Sequence, residues 1–259
     1  MRMALGTVAT LLATLSAPAL AAPCGNDASG FAQWKQAFAQ EARAQGVGAK
    51  AISALMATKY AHATIGADRN QKGMRLSFEE FYARRGGPAI IARGRALKRK
   101  HAGLFAEIER QHGVPAGPLL AIWGMETGFG AISGKQNMLS SVATLAYDCR
   151  RSAFFIDQLH AALTLIERGR FSGATRGSMH GEVGQTQFMP KAVLDYGVGS
   201  LETPAGALRS TAAFLKGHGW TAGAGYQPGE PSFVAIQGWN ASTVYQRAIA
   251  HIGAEIDGD

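Results

Sequence analysis

The chain has 259 residues, 26 Lys and Arg against 18 Asp and Glu, a formal net charge of +8 and 47% hydrophobic residues. Past the first segment no stretch is long and apolar enough for a transmembrane helix, and two cysteines without nearby histidines argue against a zinc site. The first segment itself reads as a signal peptide over 1–21. Arg2 gives a positive start, Ala4 to Leu15 is mostly apolar, and Ala19-Leu20-Ala21 offers a small-x-small cleavage site. Its apolar run is short for a membrane span, so cleavage is expected over an uncleaved anchor. Pro23 before Cys24 disfavours lipidation.

Removing residues 1–21 leaves 238 residues with 25 basic and 18 acidic side chains, a mature charge of about +7. That length suits one large domain, residues 22–259, with an N-terminal helical extension. A basic balance points to an anionic partner. Nucleic acid is a poor candidate behind an export signal, and a carboxylate-bearing wall polymer suits the compartment. A generic basic soluble protein is the alternative. In an oxidising compartment Cys24 and Cys149 are expected to pair, two free thiols being the other reading.

Taken in order, the mature chain reads as mostly helical. Phe31, Trp34, Phe38 and Ala42 give a helical spacing over 31–45, and a second helix follows over 49–58. The polar run 65–73 reads as a loop, and 78–84 as a short aromatic stretch. One long amphipathic helix is expected over 90–112, ended by Gly113. An apolar central helix over 115–127 has Pro115 and Pro118 in its first turn and Gly128 at its end. Helices are expected over 138–147 and 152–168. The Gly-rich run 170–188 reads as a shaped loop. A short helix over 189–196, a helix over 204–217, a short extended segment over 232–236, and a last helix over 241–252 capped by Asn240 complete the reading.

Glu126 stands out. It lies in the run Leu119-Leu120-Ala121-Ile122-Trp123-Gly124-Met125-Glu126-Thr127-Gly128-Phe129-Gly130, and a carboxylate at the end of so apolar a helix is costly to bury. Apolar surroundings and the negative end of the helix dipole both disfavour its charged form, so its pKa should rise. A carboxylic acid that keeps its proton near neutrality is the group that protonates a leaving sugar oxygen. A helix-end Glu bound to a neighbouring Arg is the structural alternative.

The second feature is Gly184-Gln185-Thr186-Gln187-Phe188-Met189-Pro190, with Ser178 nine residues before Gln187. Amides beside an aromatic ring and a Met give the mixed polar and apolar wall that a sugar site needs. The alternative is a structural loop whose amides bind their own backbone.

Together with Leu145-Ala146-Tyr147, Ala212 to Trp220 and Ile236-Gln237-Gly238-Trp239-Asn240, these stretches make the chain similar to lytic murein transglycosylases of the membrane-bound B type (glycoside hydrolase family 103). The similarity runs from about Phe31 to the C-terminal helix. It implies a mainly α, lysozyme-like fold with a glycan groove and little β structure. It implies Glu126 as the single catalytic acid/base and Ser178 and Gln187 as groove residues. It further implies roles at the substrate for Gln185, Phe188, Met189, Tyr147, Phe214, Trp239 and Asn240, with Trp239 equally placed to be a core residue. The substrate implied is the glycan strand of peptidoglycan, cut to a 1,6-anhydromuramyl end, with neither metal nor organic cofactor. A periplasmic monomer without stable membrane insertion is the corresponding expectation.

Three departures from the family pattern stand out. The segment after the Gln-Phe-Met-Pro motif, Asp195 to Glu202, is short and holds two carboxylates, so no calcium site is expected. Phe214 stands where a groove Tyr is common. Glu182 occupies a position often held by a small residue. Its simplest reading is an exposed Glu paired with Arg176 or Arg170. Near Glu126 it would instead raise one of the two pKa values and divert cleavage toward hydrolysis. Phe81 and Tyr82 are candidates for the far wall, His180 and His218 are expected to be structural or exposed, and Lys135 is a lone candidate for a substrate carboxylate. A hydrolytic muramidase and a silent peptidoglycan-binding or scaffolding protein are the competing functions.

Overall fold

The structure, a computed structural model, describes residues 23–70 and 76–258. The expected signal segment, residues 1–21, and the end of the expected 65–73 loop lie outside the described residues. Thirteen helices are described. They are α1 (Phe31–Ala44), α2 (Ala49–Met56), α3 (His62–Arg69), α4 (Phe78–Arg84), α5 (Gly87–Lys100), α6 (Ala102–His112) and α7 (Ala116–Thr127), then α8 (Met138–Tyr147), α9 (Ser152–Glu167), α10 (Pro190–Tyr196), α11 (Pro204–Gly217), α12 (Phe233–Trp239) and α13 (Thr243–Asp257). Strands β1 (Gln136–Asn137) and β2 (Arg176–Gly177) form one antiparallel pair, with Gln136 opposite Gly177.

The helices build two cores. In the first, α7 packs against α5, α11 and α13, and α4, α6 and α12 complete the cluster around these. The second gathers Phe31, Trp34, Phe38, Leu55, Met138, Leu145, Phe155 and Leu159 from α1, α2, α8 and α9, with Val183 and Phe188 from the Gly-rich loop. Phe214 on α11 and Trp239 on α12 pack against both cores. The seam between the cores therefore passes through two of the residues expected at the substrate.

α7 is the axis of the first core because its sequence is apolar on every side. Of its twelve residues, eleven are buried and the exception is Glu126. Pro115 is its N-cap residue, and Gly128, left-handed at φ 57°, ends it. The helix crosses α13 at close range: a Cβ on Gly117 would stand 2.2 Å from the Gly253 carbonyl oxygen. Asp257 of α13 accepts the Gly117 N–H at 2.7 Å, satisfying one unpaired donor of the first turn.

Four expectations are corrected. Residues 62–69 are helical, not a loop. Their polar composition hides a buried face of Thr64, Ile65 and Asp68, the last paired with Arg150 and Arg151 from beyond α8. The long helix expected over 90–112 breaks at His101, which leaves helical geometry at φ −114°, ψ 30°. That corner lets α5 follow α7 and α13 while α6 turns to pack on α11. The segment expected to be extended, 232–236, is the first half of α12, with Phe233, Ala235 and Ile236 buried on one face. The last helix starts at Thr243 behind Ser242, and Asn240 takes the Ser242 N–H at 2.9 Å in the turn before it.

Cys24 and Cys149 form a disulfide with Cα atoms 5.0 Å apart. Backbone bonds from Gly25 to Tyr147 and from Cys149 to Gly25 lay the first described residues along the end of α8.

Candidate active site

The last turn of α7 delivers Glu126 to a cleft of about 610 Å³ at the seam of the two cores. Glu126, Glu182, Gln187, Phe188, Met189, Phe214, Trp239 and Asn240 all line it. The Glu126 side chain is partly buried. Two donors reach it from opposite elements: the Tyr245 hydroxyl of α13 at 2.8 Å and the Trp239 indole N–H of α12 at 3.1 Å. Both bonds end on the same oxygen, Oε1. Among the described residues Oε2 takes no partner, which leaves it for a proton and a ligand.

Burial is the largest influence on Glu126 and raises its pKa above the ordinary value of 4.5. The Tyr245 and Trp239 bonds pull it back, the Glu182 charge pushes it up and Arg85 lowers it. Desolvation prevails, so the group holds its proton to higher pH than a free carboxyl. Tyr245 is itself buried and its hydroxyl pKa is raised, by burial first and then by the Glu126 charge. It therefore stays a donor. Arg85 lies over the faces of Phe81 and Tyr245, 5.3 Å and 5.5 Å from the ring centres, and donates to the Met125 carbonyl at 3.3 Å. The guanidinium thus fixes the Tyr245 ring behind the carboxyl without pairing directly with it.

The opposite wall is the loop between β2 and α10. Ser178 and Glu182 close its first turn through Ser178 N–H to Glu182 carbonyl at 2.8 Å, and Val183 and Phe188 exchange both backbone bonds. Gln187 sits inside that second turn at φ 55°, a left-handed conformation that costs a non-glycine residue about 1–3 kcal/mol. The loop is tied to α7 by the buried Thr127 hydroxyl, which donates to the Gln185 carbonyl at 2.5 Å. Phe188 is buried and meets the Phe214 and Trp239 rings edge-on, at 6.0 and 5.4 Å between centres. Phe214 is stacked on His218 at 3.8 Å, and the His218 ring bonds the Phe214 carbonyl.

Five of the expected substrate residues are therefore brought together with Glu126 in one cleft: Gln187, Phe188, Met189, Phe214 and Trp239. Asn240 joins them at the rim. Three others are elsewhere. Tyr147 is buried between Phe31, Trp34 and Tyr60 in the second core, beneath Gly25 and Gly30. Its position beside an apolar helical motif reflected packing. Gln185 turns its amide to the Glu202 carbonyl at 2.6 Å and lines a different cavity, of about 720 Å³, behind the loop. Ser178 stands one hydrogen bond behind the cleft, donating to Glu182 at 2.7 Å.

The pairing expected for Glu182 is also corrected. Arg170 is spent on the carbonyls of Gly197 and Gly199 and Arg176 on that of Lys135, so Glu182 faces the cleft instead. Phe81 is buried under Tyr245, and Tyr82 stacks on Phe78, so neither lines the cleft. His180 lies 3.8 Å from Asp68, and Lys135 is exposed. The sequence reading missed Tyr245. Its signal was a lone tyrosine on the buried face of an amphipathic helix, which reads as core until its hydroxyl needs a partner.

The chain belongs to the transglycosylase SLT domain family, which it matches over residues 30–229. Within that class it is 32% identical over 121 residues to the membrane-bound lytic murein transglycosylase B of Escherichia coli K12, covering 43% of this chain and 34% of that protein. The chain thus spans about a third of the length of the curated relative it matches. Its fold is similar to that of SltB3 from Pseudomonas aeruginosa, solved with a NAG-NAM-pentapeptide: TM-score 0.81 and 27% identity over 89% of this chain and 80% of that one. The Escherichia coli lytic transglycosylase Slt35, solved with bulgecin A, agrees in fold at TM-score 0.76 and 21% identity over 91% of this chain and 96% of the other.

Proposed function

We propose that the protein is a peptidoglycan lytic transglycosylase that cuts the β-1,4 bond between N-acetylmuramic acid and N-acetylglucosamine, with Glu126 as its acid and then its base. The observation that carries this reading is the asymmetric setting of Glu126. Two donors hold Oε1, as they would hold the carbonyl oxygen of a neutral acid, and Oε2 is left to present a proton to the cleft. Protonation of the glycosidic oxygen by Oε2–H breaks the bond to the anomeric carbon. The muramyl 6-hydroxyl then attacks that carbon and returns its proton to Glu126, closing a 1,6-anhydro ring. The acid is regenerated within one cycle, and no water enters the product.

The solved complex of SltB3 with a peptidoglycan fragment supports a glycan strand as the ligand. In this reading Trp239, Phe214 and Met189 take sugar faces, and Gln187 and Asn240 take hydroxyl and acetamido groups. Residues 22–259 act as one catalytic unit, because each core supplies one wall of the cleft. The Cys24–Cys149 disulfide suits an exported, periplasmic enzyme, and a monomer is sufficient, since all the groups invoked belong to one chain. Digestion of purified sacculi with mass analysis of the fragments tests the reading. Anhydromuramyl ends support it; fragments heavier by one water identify a hydrolytic muramidase, and intact sacculi a silent binder. Glu126→Gln keeps the size and the Tyr245 and Trp239 partners and is expected to reduce cleavage by at least about a thousandfold.

A further inference from the structure

A second carboxylate shares the cleft, and the reaction proposed above gives it no part. Glu182 lines the same cavity as Glu126, and the loop that carries it is rigidly closed. The Ser178 hydroxyl donates to Glu182 Oε2 at 2.7 Å, and it accepts the Glu182 N–H at 3.2 Å and the His180 N–H at 3.1 Å. Gly181, left-handed at φ 89°, lets the backbone turn between them. Among the described residues no cation lies within ion-pair distance of Glu182, and its Oε1 takes no hydrogen bond. A carboxylate on an ordinary surface loop would swing free or find one of the nearby arginines. This one is held by a serine hydroxyl with one oxygen left over, on the wall facing the acid.

We infer that Glu182 is a second working carboxylate of the cleft, its charge offsetting the positive charge that develops on the sugar ring as the glycosidic bond breaks, with Ser178 as the residue that positions it. The inference rests on the lytic reading of the same site. Glu182 forms no bond to the sugar. The proton leaves Glu126 for the departing oxygen, the bond from that oxygen to the anomeric carbon breaks, and the ring carries the positive charge until the 6-hydroxyl oxygen closes on it and its proton returns to Glu126. An oxocarbenium-like transition state gains from a fixed negative charge held beside it, as glycosidases with two carboxylates exploit.

The same charge has a second effect, because it favours the protonated form of Glu126. The groups facing the pair are Arg85 just after α4, Tyr245 from α13 and Trp239 from α12 around Glu126. His180 adjoins Glu182, with Arg150, Arg151 and Asp68 around it.

The test is steady-state cleavage of a defined muropeptide strand across pH by the wild-type chain, by Glu182→Gln and by Ser178→Ala. Glu182→Gln keeps the volume and an acceptor for Ser178 but loses the charge. Its kcat is expected to fall about tenfold or more with KM changed less than about twofold, and its alkaline limb to move to lower pH, since Glu126 loses the neighbour that helped it keep its proton. Ser178→Ala, which keeps the charge and frees its anchor, is expected to give a smaller fall in kcat. Should Glu182→Gln fail to reach the wild-type melting temperature, Ser178→Ala carries the test by the same readouts. Wild-type kcat and an unmoved limb in the folded variants overturn the inference. Absence of anhydro products from the wild-type chain overturns the lytic reading instead, so the two failures are separable.

Discussion

At the residue scale, one carboxyl is made to keep a proton. Burial works in its favour, while two hydrogen bonds to Oε1 work against it. The balance is adjustable, and the sign of each adjustment follows from which form a neighbour favours. Tyr245 donates to Glu126 and stabilises its charged form more than its neutral one. Tyr245→Phe removes that bond and leaves desolvation less opposed, so the Glu126 pKa should rise further. In a pH–rate profile the alkaline limb, where the acid loses its proton, is expected at higher pH than in the wild type, with a lower maximum rate because the carboxyl is held by Trp239 alone. A limb that stays put or moves down would contradict the assignment of Tyr245.

What the sequence disclosed at this scale was uneven, for identifiable reasons. Glu126 was legible because a lone acid in an apolar helix violates the ordinary cost of burial, and the loop from Ser178 to Met189 because glutamines beside an aromatic residue and a Met are an unusual mixture. Tyr245 and the true placement of Tyr147 were not. Both are tyrosines on the buried faces of helices with nothing local to separate them, and only the tertiary partner decides: Glu126 for one, Phe31 and Trp34 for the other. Glu182 was legible as a departure, but its neighbours in sequence misled. Arg170 and Arg176 were close enough along the chain to pair with it, and the fold commits both to backbone carbonyls.

At the element scale the position of Glu126 depends on α7 being pressed against α13. The contact needs glycine on both helices. A methyl at Gly117 would meet the Gly253 carbonyl oxygen at 2.2 Å and the Asp257 carboxyl at 2.5 Å, and the first of these is backbone that cannot step aside. Gly117→Ala, normally favourable in a helix, is therefore expected to destabilise the protein by about 1–3 kcal/mol. A lower denaturant midpoint at unchanged slope would show it. A midpoint equal to or above wild type would mean that the two helices are further apart than described.

The elements that hydrophobic period could place were α1, α8, α9 and α11, whose buried faces are long and continuous, while α7, apolar all round, was marked by the prolines at its start and Gly128 at its end. The corner at His101 escaped because the apolar stripe continues through it: Leu97 and Leu104 serve helices of different direction with the same spacing. α3 escaped because its buried face includes Asp68, a residue that composition assigns to solvent. In both cases the deciding partner, α11 for α6 and Arg150 with Arg151 for α3, is remote in sequence.

At the scale of the whole molecule, two cores are held edge to edge and the cleft is what lies between them. Phe214 and Trp239 belong to both cores, so the seam is itself packed. The Cys24–Cys149 disulfide restrains the second core by closing a loop with a sequence separation of 125. A crosslink of that span stabilises chiefly by limiting the unfolded chain, by about 3–5 kcal/mol. Replacing both cysteines with serine is expected to lower the melting temperature by several degrees or more while leaving the cleft geometry, and so kcat at low temperature, close to wild type. Loss of kcat without loss of stability would show that the disulfide reaches the cleft in some other way.

In the proposed reaction one partly buried, protonated carboxyl at residue 126 drives cleavage of the glycan strand. Mass analysis of the fragments released from purified sacculi by the wild-type chain and by Glu126→Gln addresses it most directly. Anhydromuramyl-terminated fragments are expected from the wild type and essentially none from the folded variant. Fragments released by Glu126→Gln at the wild-type rate would contradict it.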